Sequence, residues 1–415
     1  MSITDDLLAF RLCTPPAAAR DMMRMCALDW AVCGIAGARY GGFDAFAAPF
    51  RGAGPASLFG GGSADAANAA LVNGTLSHAL DFDDTHFDHI GHPSVAVMPA
   101  ALAIGQAKGI ALADVLDAAL IGAEASVAVG LWLGRDHYQV GYHQTATAGA
   151  VGACVAATRL LGLSDTQARH ALGLVSTMAS GLKSQFGTMG KPLNAGLAAR
   201  NGVEAATWAA RGMTSAQDGL AGALGFGPTH HGSGHFAPVP DQDWRMLRIS
   251  HKFHACCHGL HAMLEAIAPL SGQRPDRVDI FTHPRWMSVC NIAAPATGLE
   301  AKFSYRLTAA MALDGRATGD IRSYDDAATQ DATLLDLRDR VTVTADPSLS
   351  EMQARVVADG VTYVHDLGAP IPAQARLGKL LAKGTGLIGT QTETLWAALG
   401  SGDMDRFAHQ VSQAL

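Results

Sequence analysis

Charge is scarce in this chain: only 16% of its 415 residues are Asp, Glu, Lys or Arg, and aromatics make up 6%, against a hydrophobic fraction of 49%. Such a composition supplies a large interior and hints at an oligomer that buries further surface. A basic excess is missing too. With a net charge of -7 and a pI near 6.2, no positive field exists for nucleic acid. Long uncharged apolar runs are also lacking, since the longest, Ala111 to Leu133, is interrupted by Asp114, Asp117 and Glu124. No membrane span is therefore expected. The chain does not open on a charged segment followed by an apolar one, and the expected location is cytoplasmic. Seven cysteines at irregular spacing exclude a regular disulfide framework. Without C-x-x-C spacing they also argue against an iron-sulfur cluster of the kind many dehydratases carry. HExxH is absent, as is a strand-bound G-x-G-x-x-G, so no zinc, nicotinamide, flavin or pyridoxal cofactor is expected.

What is present first is helix. TPPAAARDMMRMCALDWAVCGIAGA has Thr14 as its expected N-cap, Pro15 in the first turn, and Gly34 and Gly37 near its end. Comparable apolar segments run over 65–80, 94–107, 111–133, 145–161, 165–180 and 195–211, with many Ala and Gly positions that allow close helix approach. After the Gly/Pro/His linker GFGPTHHGSGHFAPVPDQDW the pattern changes. RVDIFTHP, RVTVTADP and ARVVADGVTYVHDL read as strands, the last as a hairpin about Asp359-Gly360. Helices at 256–270, 300–313 and 331–339 interleave with them. The fold class expected is mostly α: a large helical bundle, residues 1–245 with 386–415, plus a smaller α+β lid domain, 246–385. The glycines of the linker suggest that the lid moves.

Four aspartates and four histidines crowd into HALDFDDTHFDHIGH, residues 78–92. Most such residues at a helix end are simply solvated. A calcium loop starting at Asp81 fails, because His86 stands where the turn Gly is needed and His92 where the twelfth-position Glu is needed. A zinc site through His86, His89 and His92 remains an alternative. Other polar sites lie elsewhere. His92 precedes Pro93 and a helix for which Ser94 is the expected N-cap, placing His92 near a helix's positive end. His143 stands at another helix entrance, near Thr145 and Thr147. Lys191 precedes Pro192 at a third, and HKFHACCHGLH holds Lys252, His254, Cys257, His258 and His261. For any one of these histidines alone a structural role is the default reading. Both lysines sit in apolar contexts where a charge needs an anion.

Taken together and in order, HALDFDDTH, HPSVAVMPAALA, GYHQTATAG, FGTMGKPLNAGLAARNG, ACCHGLH and AKFSYRLTAAMALDG resemble the MmgE/PrpD family over nearly the whole chain. That family contains 2-methylcitrate dehydratase, cis-aconitate decarboxylase and iminodisuccinate epimerase. The resemblance implies a helical domain built from both chain ends, an α+β lid, a homodimer, and a cleft between domains lined by Asp81, Thr85, His92, His143, Lys191 and Lys252. It adds Lys183, Cys257 and His261 as substrate-binding candidates. Three departures stand out: Asn194 replaces the histidine of the usual KPLHAG, His254 occupies an aromatic position, and Tyr305 follows Ser304 directly. The implied chemistry is proton transfer next to a carboxylate on a small di- or tricarboxylate, without cofactor. A hydro-lyase of the 2-methylcitrate dehydratase type is the leading expectation. Epimerisation or decarboxylation of a similar skeleton is the alternative; a metal-dependent hydrolase or a non-catalytic carboxylate-binding protein ranks behind both. In this reading Asp81, Thr85 and His92 face inward, and Asp88 and His89 face solvent.

Overall fold

Helix formation follows the caps and small apolar residues. The computed structural model describes residues 2–237 and 243–413, so residues 238–242 of the Gly/Pro/His linker lie outside the described residues. The chain divides into two compact units, Met1–His251 with Ile388–Leu415, and Lys252–Leu387.

The first unit contains α1 (Ile3–Phe10), α2 (Ala17–Tyr40), α3 (Ala66–His78), α4 (Pro93–Lys108), α5 (Leu112–Val140), α6 (Gln144–Leu160), α7 (Asp165–Met178) and α8 (Gly190–Ala210). Asp65 caps α3 through the N–H groups of Ala67 and Asn68, and Ser164 with Gln167 forms a capping box on α7. Two expected caps are displaced. Pro16, not Thr14, precedes α2, and His92, not Ser94, precedes α4. In α4 the reason is Pro93, which takes the first helical position and leaves the cap to the residue before it. Helix α2 also continues past Gly34 and Gly37, which lie inside it against Phe59 and the Leu76 carbonyl.

Helices α3, α4, α6 and α8 pack on one another at the centre of this unit. Gly74 of α3 faces Gly196 of α8 so closely that a Cβ on Gly74 would lie 2.8 Å from the Gly196 Cα. This brings the C-terminal end of α3 beside the N-terminal end of α8. Among the described residues α5 alone is long and apolar enough to cross a membrane, but 83% of its most apolar window is buried inside the protein. It is a core helix, broken at Gly134, where φ is 76° and ψ -177°. Two linker glycines permit close contact within this unit: Gly227 lies on the Trp132 ring and Gly234 on the backbone of Leu131 and Trp132. Two C-terminal helices, Gln391–Ser401 and Met404–Val411, pack on α2.

The second unit holds a four-stranded sheet of order β2-β1-β3-β4, with β1 Val278–Thr282, β2 Val341–Ala345, β3 Gln353–Ala358 and β4 Val361–Asp366. β1 pairs parallel with β2 and antiparallel with β3. The β3–β4 turn has φ of 46° at Asp359 and 85° at Gly360, as a two-residue hairpin requires. Helices His261–Ile267 and Tyr305–Leu313 pack on the sheet strands. The expected helices over 256–270 and 300–313 are shorter and interrupted, because Ser304 caps a new start at Tyr305 and Cys257 precedes a 3-10 turn. Tyr305 is buried, its hydroxyl bonded to Gly259 O (2.7 Å) and Thr282 (2.8 Å), a core residue of this unit.

Candidate active site

The charged run begins where α3 stops. Asp81 donates its N–H to the His78 carbonyl and adopts φ of 51°, a left-handed conformation that Asp tolerates better than most residues. This reversal separates the aspartates. Asp81 keeps a half-buried carboxylate, 2.7 Å from the Lys191 ammonium and 3.6 Å from His92 Nε2. Asp83 turns inward and is fully enclosed. One of its oxygens accepts from His78 Nδ1 at 2.8 Å, the other from His92 Nδ1 at 2.7 Å. Burial alone would raise the Asp83 pKa, but the charges and hydrogen bonds of the two histidines outweigh it and hold the group well below the usual carboxylate range. An ionised Asp83 can only accept, so both histidines carry a proton on Nδ1 and direct Nε2 elsewhere.

Its neighbour Asp84 is shifted the opposite way. Buried, and facing the charges of Asp29 and Asp83, it is pushed up to about 7 despite accepting the Ser94 hydroxyl (2.5 Å) and N–H (3.3 Å). Ser94 is therefore an internal helical residue serving Asp84, not a cap.

Three helices start at this place. His92 precedes α4, His143 precedes α6, and Lys191 is the second residue of α8. The His92 N–H donates to the Thr145 hydroxyl (3.1 Å), which ties the first two starts together. Asn194 ties the second to the third, its amide nitrogen donating to His143 Nδ1 and to the Leu182 carbonyl, both at 3.3 Å. That leaves the His143 proton on Nε2. Burial pushes the His143 pKa well down, helped by the charges of His78, Lys191 and His92 and opposed by Asp81, so the ring is a neutral donor. Phe186 lies across both groups, edge-on to the His143 ring (4.9 Å) and 5.3 Å from the Lys191 ammonium. Helix N-termini, an ammonium and a neutral N–H donor together make a cradle for carboxylate oxygens.

Of the residues expected from sequence, Asp81, His92, His143 and Lys191 are thus brought together. Thr85 lies close by, but as a strap: its backbone exchanges hydrogen bonds with Ser250, and its hydroxyl is 3.5 Å from the Ser250 carbonyl. Lys183 is turned to Tyr138, donating to that residue's carbonyl (3.0 Å) with its ammonium 3.8 Å from the ring centre. Lys252, Cys257 and His261 belong to the second unit. There Lys252 is buried, Cys257 Sγ lies 3.1 Å from Cys290 Sγ, and burial with nearby His258, His254 and Lys252 charges keeps His261 neutral.

Asp88 is exposed as expected, but His89 is not. Its ring is sealed between Gly91 and Gly130, neither nitrogen has a hydrogen-bond partner, and burial lowers its pKa to about 3. No sequence-local signal marks this, because Gly130 lies on a different helix. His78 and Asp83 were missed as functional candidates although both stand in the quoted run; what pairs them with His92 is the turn at Asp81.

The side chains of His78, Asp81, Asp83 and His92 bring ligand-type atoms within 4.8 Å of one another, as do those of Cys26, Asp84 and His251. The first set does not fit a metal ion. Asp83 is committed to two imidazole N–H groups, and the Lys191 ammonium already supplies the positive charge beside Asp81. In the second set Asp84 is bonded to Ser94. Of the three histidines of the zinc alternative, His92 belongs to the first set, whereas His86 and His89 belong to neither; His86 Nε2 instead contacts the Arg245 carbonyl at 3.0 Å.

The description of the MmgE/PrpD N-terminal domain matches residues 2–238, and that of the MmgE/PrpD C-terminal domain matches residues 254–371. Among curated proteins, the cis-aconitate decarboxylase of Aspergillus terreus is 32% identical over 225 residues, covering 50% of this chain and 46% of its own. The human cis-aconitate decarboxylase is 34% identical over 168 residues, covering 38% of this chain and 34% of its own. The chain spans about half the length of the curated relatives it matches.

Proposed function

Because the chain belongs to the MmgE/PrpD family, we propose that it is a lyase releasing carbon dioxide from a small unsaturated tricarboxylate of the cis-aconitate type. The observation that carries this reading is the convergence of three helix starts on Lys191, His143 and a His92 backed by the ionised Asp83. Loss of carbon dioxide from a carboxylate one carbon removed from a double bond breaks one C–C bond. The electron pair shifts through the double bond, and the far carbon takes up a proton. The protein must therefore hold the remaining carboxylates and deliver that proton.

Lys191 and the His143 Nε2–H hold carboxylate oxygens at the helix starts. His92 donates the proton from Nε2, its imidazolium form stabilised by Asp83 at Nδ1. Asp81, 3.6 Å from His92 Nε2, returns a proton to it between turnovers. These groups suffice without a cofactor, and a chelator is expected to leave the rate unchanged; activity lost to chelation and restored by a metal would overturn that part.

Dehydration of a methylcitrate-type substrate, the expectation that leads from the motifs, uses the same cradle but adds an acid for the departing hydroxyl. The curated relatives reported above are decarboxylases, which favours the first reading. One experiment separates them. Incubation with cis-aconitate, methylcitrate, citrate and iminodisuccinate in deuterated water, followed by NMR, should give carbon dioxide and one deuterium per product molecule from cis-aconitate. Turnover of methylcitrate with release of water and none of cis-aconitate would replace decarboxylation with dehydration.

A further inference from the structure

Behind His92 lies a second histidine. His78 is 1% exposed, its ring meets the His92 ring edge-on at 4.6 Å, and it lies 6.1 Å from the His143 ring. Its Nδ1 takes the Asp83 oxygen that His92 leaves, and its Nε2 is buried without a hydrogen-bond partner. If this position needed only bulk, an apolar side chain would fill it at lower cost, because a buried polar atom without a partner loses its hydration uncompensated. If it needed only a hydrogen bond, an amide would suffice. An imidazole supplies a donor that can also share positive charge.

We infer that His78 is a positioning residue: through the carboxylate it shares with His92, it keeps Asp83 ionised and aimed, and so holds the His92 proton on Nδ1 with Nε2 free to exchange. The inference rests on the proposed proton transfer at His92. A carboxylate enclosed this completely favours its neutral form unless donors compensate. Two imidazole N–H groups, one on each oxygen, provide that compensation. Without His78, Asp83 keeps a single donor, with Asp84 adjacent in the chain. The counter-charge behind the His92 imidazolium then weakens. Other groups facing His92 remain in place: Asp81 at 3.6 Å, Lys191 beyond it, and the His143 and His89 rings on neighbouring elements. The ionisation of His92 should consequently move to lower pH, whichever direction it transfers protons.

Histidine-labelled protein and two-bond nitrogen–proton NMR read the tautomer and titration of His92 without any substrate. In His78→Phe and His78→Leu the His92 titration is expected to fall by about one pH unit or more, with the proton no longer confined to Nδ1. In His78→Asn, whose amide nitrogen can stand where Nδ1 stood, the Nδ1 tautomer should be largely restored. On cis-aconitate, kcat of the Phe variant should drop about tenfold or more with KM little changed, and the pH–rate limb belonging to His92 should move with the titration. A folded Phe or Leu variant in which His92 keeps its tautomer and titration would overturn the inference, as would an Asn variant no better than Phe. Should no polycarboxylate turn over, the NMR result still decides the role of His78, so the two failures are distinguishable.

Discussion

At Asp81, one left-handed residue decides which members of a charged run face the site. The crowding of aspartate and histidine is plain in the sequence, but their directions depend on that backbone reversal, and the enclosure of His89 depends on a glycine of α5. His92→Ala is expected to lower turnover by about a hundredfold or more while leaving the fold intact. Lys191→Ala should lower both turnover and substrate affinity, since its carboxylate gains charge along the reaction. Steady-state kinetics on the true substrate check both, with exposed Asp88→Ala as the silent comparison. His89 makes a different prediction. Neutral when folded, with a pKa near 3 against 6.5 for a free imidazole, it contributes stability above about pH 6.5 that is lost as pH falls toward 3. Asp84 runs the other way: bound more tightly in the folded state, its proton gives stability that is full below about 3.8 and lost as pH rises through about 7. Melting temperatures across pH should show His89→Leu with a shallower acid limb and Asp84→Asn with a shallower fall toward neutral pH. Unchanged curves would mean that these groups do not titrate as their burial requires.

At the scale of elements, most helices and all four strands of the sheet could be read from apolar periodicity, caps and the Asp359-Gly360 turn. Their contacts were less legible, because alanine and glycine mark close approach without naming the partner. KPLNAG illustrates this. Lys191 and Asn194 stand out as polar residues at a helix start, yet Gly196 of the same motif lets α8 reach α3 and sets Lys191 beside Asp81. A Cβ at Gly196 would meet the Leu71 carbonyl and the Thr75 hydroxyl. Gly196→Ala is therefore expected to cost roughly 1–3 kcal/mol of stability by overpacking, and to lower turnover although it touches no substrate. Calorimetry and kinetics on one preparation test the pair of effects; a fully active variant would show that the α3–α8 spacing does not set the site.

On the scale of the whole molecule, the first unit is assembled from two distant stretches of chain. Arg24 of α2 lies 5.0 Å from the Trp396 ring centre, and Arg39 donates to Gln391 at 3.0 Å. Leu395, Leu399, Phe407 and Val411 are buried in the C-terminal helices. At roughly 1.5–3 kcal/mol for each large apolar side chain buried, their removal approaches the stability of an ordinary domain. A chain ending at Leu387 should thus melt far below the full chain and bind hydrophobic dyes; equal melting temperatures would argue against this. The same arrangement has a consequence for biosynthesis. While the ribosome is still translating the second unit, the part of α2 destined to receive Trp396 has no cover, so the nascent first unit stays incomplete until its last helices emerge. Chaperone demand should therefore rise late in translation, and a transcript truncated before codon 390 should yield aggregate or protease substrate instead of a smaller folded protein.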